Sequence, residues 1–498
     1  MISRRSRLGL RVESGHPKDG IDDSEMSKPD LNPRRCSLRQ ARLNPQRVNQ
    51  VKQWIFVYFF LLIFEGVFRK WIFGGIPIIA LPLSIVRDPV ALLIYVLAWR
   101  ANVVRGRIRS ASLLWLVCLS LLAVLQVMLN PGLSVLVVLY GLRIYWLHLP
   151  LIFIMAEVLD YQDLLRIGRW FLLLAGPMAA LMVAQFFAPS DSILNRGMVE
   201  GIGQIGAALG RIRPAGTFSY NTGAASFNLL VMAFLLYSFV DKRWTSVWLR
   251  WVAVVAVVVI LPVSGSRGFV LNFGLLLAFA LLGGNFNRRL LWPTIWTVAA
   301  GVAIFGVLML TSFFQEGVQT FLTRWNDANT VTGGSFREAI VMRFFHEFIM
   351  AFHDLGEAPL FGYGIGLGSN FGAVLTSNAL VYELAEAEWE RTVLEMGPIF
   401  AVLWLGLRCG FGVFIIRRAW GSLRRGHTLG WLILSSEFLA IINGFLQQPT
   451  ALGFIVFTTG LCLVAVKSAE REDTLPPAGR VDPRIPSRRQ SFVRQVRP

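Results

Sequence analysis

Charge is scarce in this chain. Only 16% of its 498 residues are Asp, Glu, Lys or Arg, against about 25% in an ordinary soluble protein. That shortage excludes a string of soluble domains, because too little polar side chain exists to cover them. Cysteines number four. Cys36 lies in the N-terminal stretch, and Cys118, Cys409 and Cys462 lie in apolar runs. None stands in a long polar loop, which excludes a disulfide framework and a zinc site. The first fifty residues lack a cleavable apolar core, so no removed signal peptide is expected and the first apolar run acts as its own insertion signal. Also missing is a basic patch interleaved with aromatics, so the net charge of +18 does not indicate nucleic acid. The basic residues gather instead in tails and short loops, where the positive-inside rule places them.

What remains is apolar: 55% hydrophobic residues and a mean hydropathy of +0.56. A bilayer span needs about 20 predominantly apolar residues. The runs that qualify are 52–73, 78–99, 111–129, 133–157, 170–188, 223–240, 247–263, 268–283, 292–314, 393–416, 429–446 and 450–467. They predict an all-α polytopic membrane protein of about twelve transmembrane helices. Its transmembrane domain covers 52–467, with basic, disordered cytoplasmic tails at 1–51 and 468–498. Arg87-Asp88-Pro89 interrupts the second run and predicts a broken helix there.

An even number of spans puts both termini on one side, the cytoplasm. Arg100, Arg105, Arg107, Arg109, Lys242, Arg243, Arg288, Arg289, Arg417, Arg418, Arg424 and Arg425 all fall on that side, as the positive-inside rule asks. The opposite side receives the tight turn 264–267 and two long loops, 189–222 and 315–392. Those long loops contain no lysine; their basic residues are all arginine. Arginine is the side chain suited to bidentate binding of phosphate.

On that face Arg211 and Arg213 precede a span, and Ser264-Gly265-Ser266-Arg267-Gly268 forms another span mouth. Arginines beside glycine-rich turns at helix starts make an anion site; the plainer reading is that each snorkels to lipid headgroups. Further on, Ser335-Phe336-Arg337-Glu338 has the form of a capping box. Phe336, Ile340, Phe344, Phe348 and Phe352 follow at helical spacing, predicting an amphipathic helix of about 20 residues. Arg343 lies on its polar side. The stretch Pro359-Leu360-Phe361-Gly362-Tyr363-Gly364-Ile365-Gly366 lacks the strand and the lysine of a nucleotide loop. It reads as a flexible turn that lets backbone approach another element. Glu383, Glu386, Glu388, Glu390 and Glu395 then cluster where a span begins. Some of this is helix capping. Glu395, inside the apolar run, is a functional-site candidate because intramembrane carboxylates are costly. For the same reason Glu65 and Arg143, at similar depth in their spans, are expected to pair.

With these residues in hand, the chain resembles the O-antigen polymerase and O-antigen ligase superfamily. The resemblance rests on Arg213-Pro214-Ala215-Gly216-Thr217-Phe218, on Ser264-Gly265-Ser266-Arg267-Gly268, and on the Pro359–Gly366 turn followed by Glu395-Met396-Gly397. It implies a multi-pass protein of the bacterial inner membrane that performs metal-independent glycosyl transfer on the periplasmic face, without a cofactor. The donor it implies is a glycan on polyprenyl, usually undecaprenyl, pyrophosphate. The acceptor would be another lipid-linked repeat or lipid A core, and a polysaccharide-assembly complex a further partner. By the resemblance Arg213 and Arg267 match pyrophosphate-binding arginines, with Arg211 beside them. Arg343 matches the arginine before the Pro-Leu-Phe-Gly turn. Members of the family place a histidine upstream of the glutamate that opens the span. Here that position is Glu386, with Glu390 near it, so a carboxylate takes the role of base and Arg391 is a candidate to hold it. Two other classes fit the composition. One is a lipid-linked glycan transporter or flippase, although no inverted repeat is visible; the other is a non-catalytic subunit of an envelope polysaccharide complex.

Overall fold

The computed structural model describes residues 44–73, 82–104, 106–197, 204–332, 348–369, 372, 385 and 387–474. Among the described residues the regular elements are all helices, joined by turns and loops, with an isolated bridge between Gly206 and Ile212. In chain order the helices are α1 (Pro45–Val67), α2 (Arg87–Arg100), α3 (Gly106–Leu129), α4 (Val135–Leu142), α5 (Leu151–Val158), α6 (Tyr161–Phe187) and α7 (Asn221–Val240). They continue with α8 (Val247–Val263), α9 (Arg267–Phe286), α10 (Arg288–Leu308), α11 (Ser312–Thr332), α12 (Glu388–Arg424), α13 (Leu429–Asn443) and α14 (Pro449–Thr474). Among the described residues nine helices are long and apolar enough to cross a membrane; Val247–Val263 and Leu429–Asn443 are shorter apolar helices. The chain is a polytopic helical membrane protein.

Several boundaries differ from those predicted. Helix α1 begins at Pro45 and α14 runs to Thr474, so the inner edges of both expected tails are helical. Asn44 caps α1 through its side chain, with proline in the first turn, where its missing N–H is no loss. Residues 1–43 and 475–498 lie outside the described residues. Of the span expected at 78–99, residues 78–81 lie outside the described residues, Pro82–Ile85 is a 3-10 turn, and a helix of 14 residues starts at Arg87. Arg87-Asp88-Pro89 stands just after the break, where it opens the α-helix, because a proline in the first turn forfeits no backbone bond. The run 292–314 divides, with α10 ending at Leu308 and α11 starting at Ser312. Run 133–157 is α4, a π-helical turn over Arg143–Leu147, and α5.

Burial separates core helices from lipid-facing ones. The apolar window of α14 is 94% buried and that of α7 78%, against 17% for α10. Helix α14 packs along α5 and α13, α8 along α6, and α13 along α7 and α12. Charged pairs bind the helices at one end of the bundle: Lys52 with Asp160 and Asp163, Lys467 with Glu157, and Arg418 with Glu470. The opposite end carries the segments that precede α7, α9, α12 and α14, and there the polar side chains of interest meet.

Candidate functional site

The first part is the arginine mouth. Residues 204–213 fold back on themselves, with Arg213 N donating to Ile205 O and Ala207 N to Arg211 O. Arg213 Nε donates to Gly206 O at 3.1 Å. The turn before α9 sits directly against this hairpin: a Cβ built on Gly265, whose φ is +54°, would stand 3.3 Å from Ala207 Cβ and 3.6 Å from Arg213 Cγ. Ser266 caps α9 by accepting from Phe269 N, and Arg267 opens that helix. Arg213 and the turn bearing Arg267 are thus neighbours, and both arginines are half-buried. Between them and α7 lies a cavity of about 10 Å³ lined by Pro214, Asn221, Asn228, Ser264 and Ser266, room for one water. Arg211 takes a different course. Its guanidinium pairs with Glu316 of α11, donates to Phe187 O at 3.1 Å and lies over the Phe187 ring. Arg324, which had no sequence signal beyond its charge, donates to Gly206 O and Ala207 O.

The loop continues against α1. Thr217 Oγ1 donates to Ile63 O at 2.7 Å, and Lys70 Nζ to Gly216 O at 2.7 Å. Gly66 leaves no room for a side chain, because a Cβ there would strike the Thr217–Ser219 backbone. Next to this contact is a buried ionic cluster. Glu65 pairs with Arg87 at 2.8 Å and with Arg69 at 3.5 Å. Arg143 donates to both oxygens of Asp88, and His148 Nε2 lies 3.0 Å from Asp88 Oδ1 and Nδ1 3.2 Å from Tyr58 Oη. The expected Glu65–Arg143 pair is replaced by Glu65–Arg87 and Asp88–Arg143. The start of α2 inserts one charge of each sign between the two helices, and each original charge takes the nearer partner.

The third part is the glycine turn and Glu395. This carboxylate is fully buried and accepts three hydrogen bonds. Tyr145 Oη donates to Oε2 at 2.7 Å, Gly366 N to Oε2 at 3.1 Å and Gly368 N to Oε1 at 2.7 Å. Gln126 of α3 clamps the same turn, donating to Phe361 O and Glu395 O and accepting from Ile365 N. The alternate glycines serve close approach, as the sequence predicts. The turn is pinned, however, and not flexible. Gly362 (φ +71°) faces Gly397 (φ +75°), and Gly366 faces Gly141, in each case with backbone where a Cβ would go.

Of the remaining carboxylates, Glu388 is buried and pairs with Arg408 at 3.1 Å while accepting from Leu446 N. Glu390 is half-buried on α12. Glu386 and Arg343, together with the Ser335–Glu338 capping box, lie outside the described residues; of the expected amphipathic helix, residues 348–357 are seen and are helical. On it His353, Asp354 and Glu357 bring ligand-type atoms within 4.8 Å of one another, with His353 paired to both acids. Arg391 donates to Ala385 O at 2.6 Å and to Gln447 Oε1 at 3.2 Å; Glu386, one of the carboxylates it was expected to hold, lies outside the described residues. The segment 444–449 between α13 and α14 was silent in sequence, yet it links the parts. Gln447 reaches Tyr145 and Arg391, Gln448 accepts from Thr222, and Pro449 O accepts from Arg87. Glutamine and tyrosine carry no charge that would mark them inside an apolar run.

No family model, no curated protein and no solved structure matches this chain.

Proposed function

We propose that the protein is a glycosyltransferase of the polysaccharide polymerase or ligase type, working at the periplasmic face of a bacterial inner membrane on a polyprenyl-pyrophosphate-linked glycan. The observation that carries this reading is the seating of Arg213 against the Gly265 turn that bears Arg267. Two arginines on adjacent turns, beside the N-terminus of α9, supply the positive charge and the guanidinium chemistry that suit a diphosphate. The donor's anomeric C–O bond breaks and its electron pair passes to the diphosphate oxygen, where the arginines stabilise the developing charge. The acceptor hydroxyl oxygen bonds to the anomeric carbon, and its proton goes to a carboxylate, Glu386 or Glu390. Glu395, with three donors already on its carboxylate, organises the turn rather than taking that proton.

The test is turnover of purified protein with a defined undecaprenyl-pyrophosphate glycan, scored by new glycosidic bonds. Arg213→Ala and Arg267→Ala are each expected to lower kcat/KM by about 10²–10³, the range seen on removing a donor to a developing oxyanion, with unchanged melting temperature in detergent. Full turnover by the doubly substituted protein would refute the reading. Movement of the intact lipid across vesicles, with no new bond, would favour a transporter.

A further inference from the structure

Three neutral or cationic side chains and one carboxylate form a continuous chain beside α12. Arg391 Nη1 donates to Gln447 Oε1 at 3.2 Å, Gln447 Nε2 donates to Tyr145 Oη at 3.4 Å, and Tyr145 Oη donates to Glu395 Oε2 at 2.7 Å. The ends dictate the direction. A guanidinium only donates and an ionised carboxylate only accepts. Tyr145 has one hydroxyl proton, committed to Glu395, so its oxygen must accept from Gln447. Gln447 can then present only its carbonyl oxygen to Arg391. Each link polarises the next, and a buried chain of this kind is stiffer than its separate bonds. Tyr145 is fully buried and Gln447 nearly so. The π-helical turn Arg143–Leu147 contains both Tyr145 and Arg143, which pairs with Asp88. Single π turns of this kind are frequent at functional sites.

The chain's free end is Arg391. Its second amino group donates to Ala385 O at 2.6 Å, the carbonyl bonded to Glu386. Its methylene stem lies on Gly368, where a Cβ would meet Arg391 Cδ at 2.6 Å and Glu395 Oε1 at 2.9 Å. The guanidinium thus ties Gln447 to the Ala385 carbonyl, while its stem lies on the glycine turn. We infer that Tyr145 and Gln447 are positioning residues: through Arg391 they fix the backbone at Ala385 against the first turn of α12, and so the placement of Glu390, one of the two carboxylates proposed as base. This rests on the glycosyltransferase reading for its catalytic meaning, but the mechanical coupling is measurable without turnover.

Removing the tyrosine hydroxyl leaves Gln447 without its acceptor, free to turn its amide and release Arg391. Tyr145→Phe, a loss of one atom in a fully packed site, should lower kcat by about tenfold to a hundredfold, the scale set by small misplacements of a reacting group, with KM for the lipid substrate changed less than about twofold. Gln447→Leu should do the same. Because the three act as a unit, Tyr145→Phe combined with Arg391→Lys should be no slower than Arg391→Lys alone. Purely structural roles would instead multiply, or would lower the melting temperature and leave kcat of the folded fraction intact; either result overturns the inference. If the wild-type protein makes no glycosidic bond, the functional reading falls, and amide hydrogen exchange then decides the coupling. Faster exchange at 385–391 in Tyr145→Phe or Gln447→Leu, with 204–216 unchanged, supports the relay. Unchanged exchange at 385–391 in both variants refutes it.

Discussion

Glu65→Leu is expected to cost about 3–5 kcal/mol of stability, the penalty for stranding one member of a buried ion pair. Arg87 is only 1% exposed, and without Glu65 Oε2 its guanidinium keeps the Pro449 carbonyl as a neutral partner. Its third nitrogen already lacks a hydrogen-bond partner and presses on Gly453, where a Cβ would clash with it, so the side chain cannot swing to a new one. Removing both charges is a different matter. Glu65→Leu with Arg87→Met should recover the part of the loss that belongs to Arg87, leaving about 1–3 kcal/mol for the Pro449 carbonyl that no longer has its donor and for Arg69, which keeps Ser219 but loses Glu65. Denaturant or thermal midpoints in detergent read both values. Glu65→Leu with Arg143→Met should give no such recovery, because Arg143 serves Asp88. Equal recovery by the two doubles, or none by either, would show that the pairing described above is wrong.

The second large effect belongs to Gly397. Its φ of +75° and ψ of 165° are open to glycine and to little else. A Cβ there would run into the Leu360 carbonyl and the Gly362 amide. Gly397→Val should therefore add backbone strain of about 1–3 kcal/mol to an overpacking cost of about 1–3 kcal/mol. The loss is expected at the turn before it reaches the bundle. Tyr363 N and Gly364 N donate to Leu394 O and Glu395 O, so their amides should exchange faster while those of α14 stay protected. Gly406, on the same helix, has nothing within 4 Å of a built Cβ. Gly406→Ala should be neutral or stabilising by about 0.5–1 kcal/mol, the ordinary helix preference for alanine. A Gly397→Val protein with wild-type exchange at 359–368 would remove the argument that close backbone approach explains the glycines.

Much of the arrangement was legible beforehand. Hydropathy located most of the helices, and the absence of lysine from the two long loops drew attention to Arg213, which sits against the glycine turn that bears Arg267. The alternate glycines of 359–366 pointed to close backbone approach. Other features were not legible, for particular reasons. Glu65 and Arg143 share a depth, but depth does not reveal that α2 starts with Arg87 and Asp88 between them. Gln126, Tyr145 and Gln447 sit among apolar neighbours without charge, spacing or motif to single them out. Arg211 and Arg213 stand two positions apart in a hairpin, yet one pairs with Glu316 and the other sits against the Gly265 turn.

By itself the amino-acid order determined that the chain is helical and suited to a bilayer, and which of its segments are polar. In hydrocarbon every backbone N–H and C=O must be satisfied within its own segment, whatever the neighbours are. Only the tertiary structure decided who meets whom: Arg87 with Glu65, Tyr145 with Glu395, Gln447 with Arg391. Those choices depend on helix rotation and on gaps of a few ångströms between elements far apart in sequence, and hydrogen bonds are lost over smaller displacements than hydropathy can register.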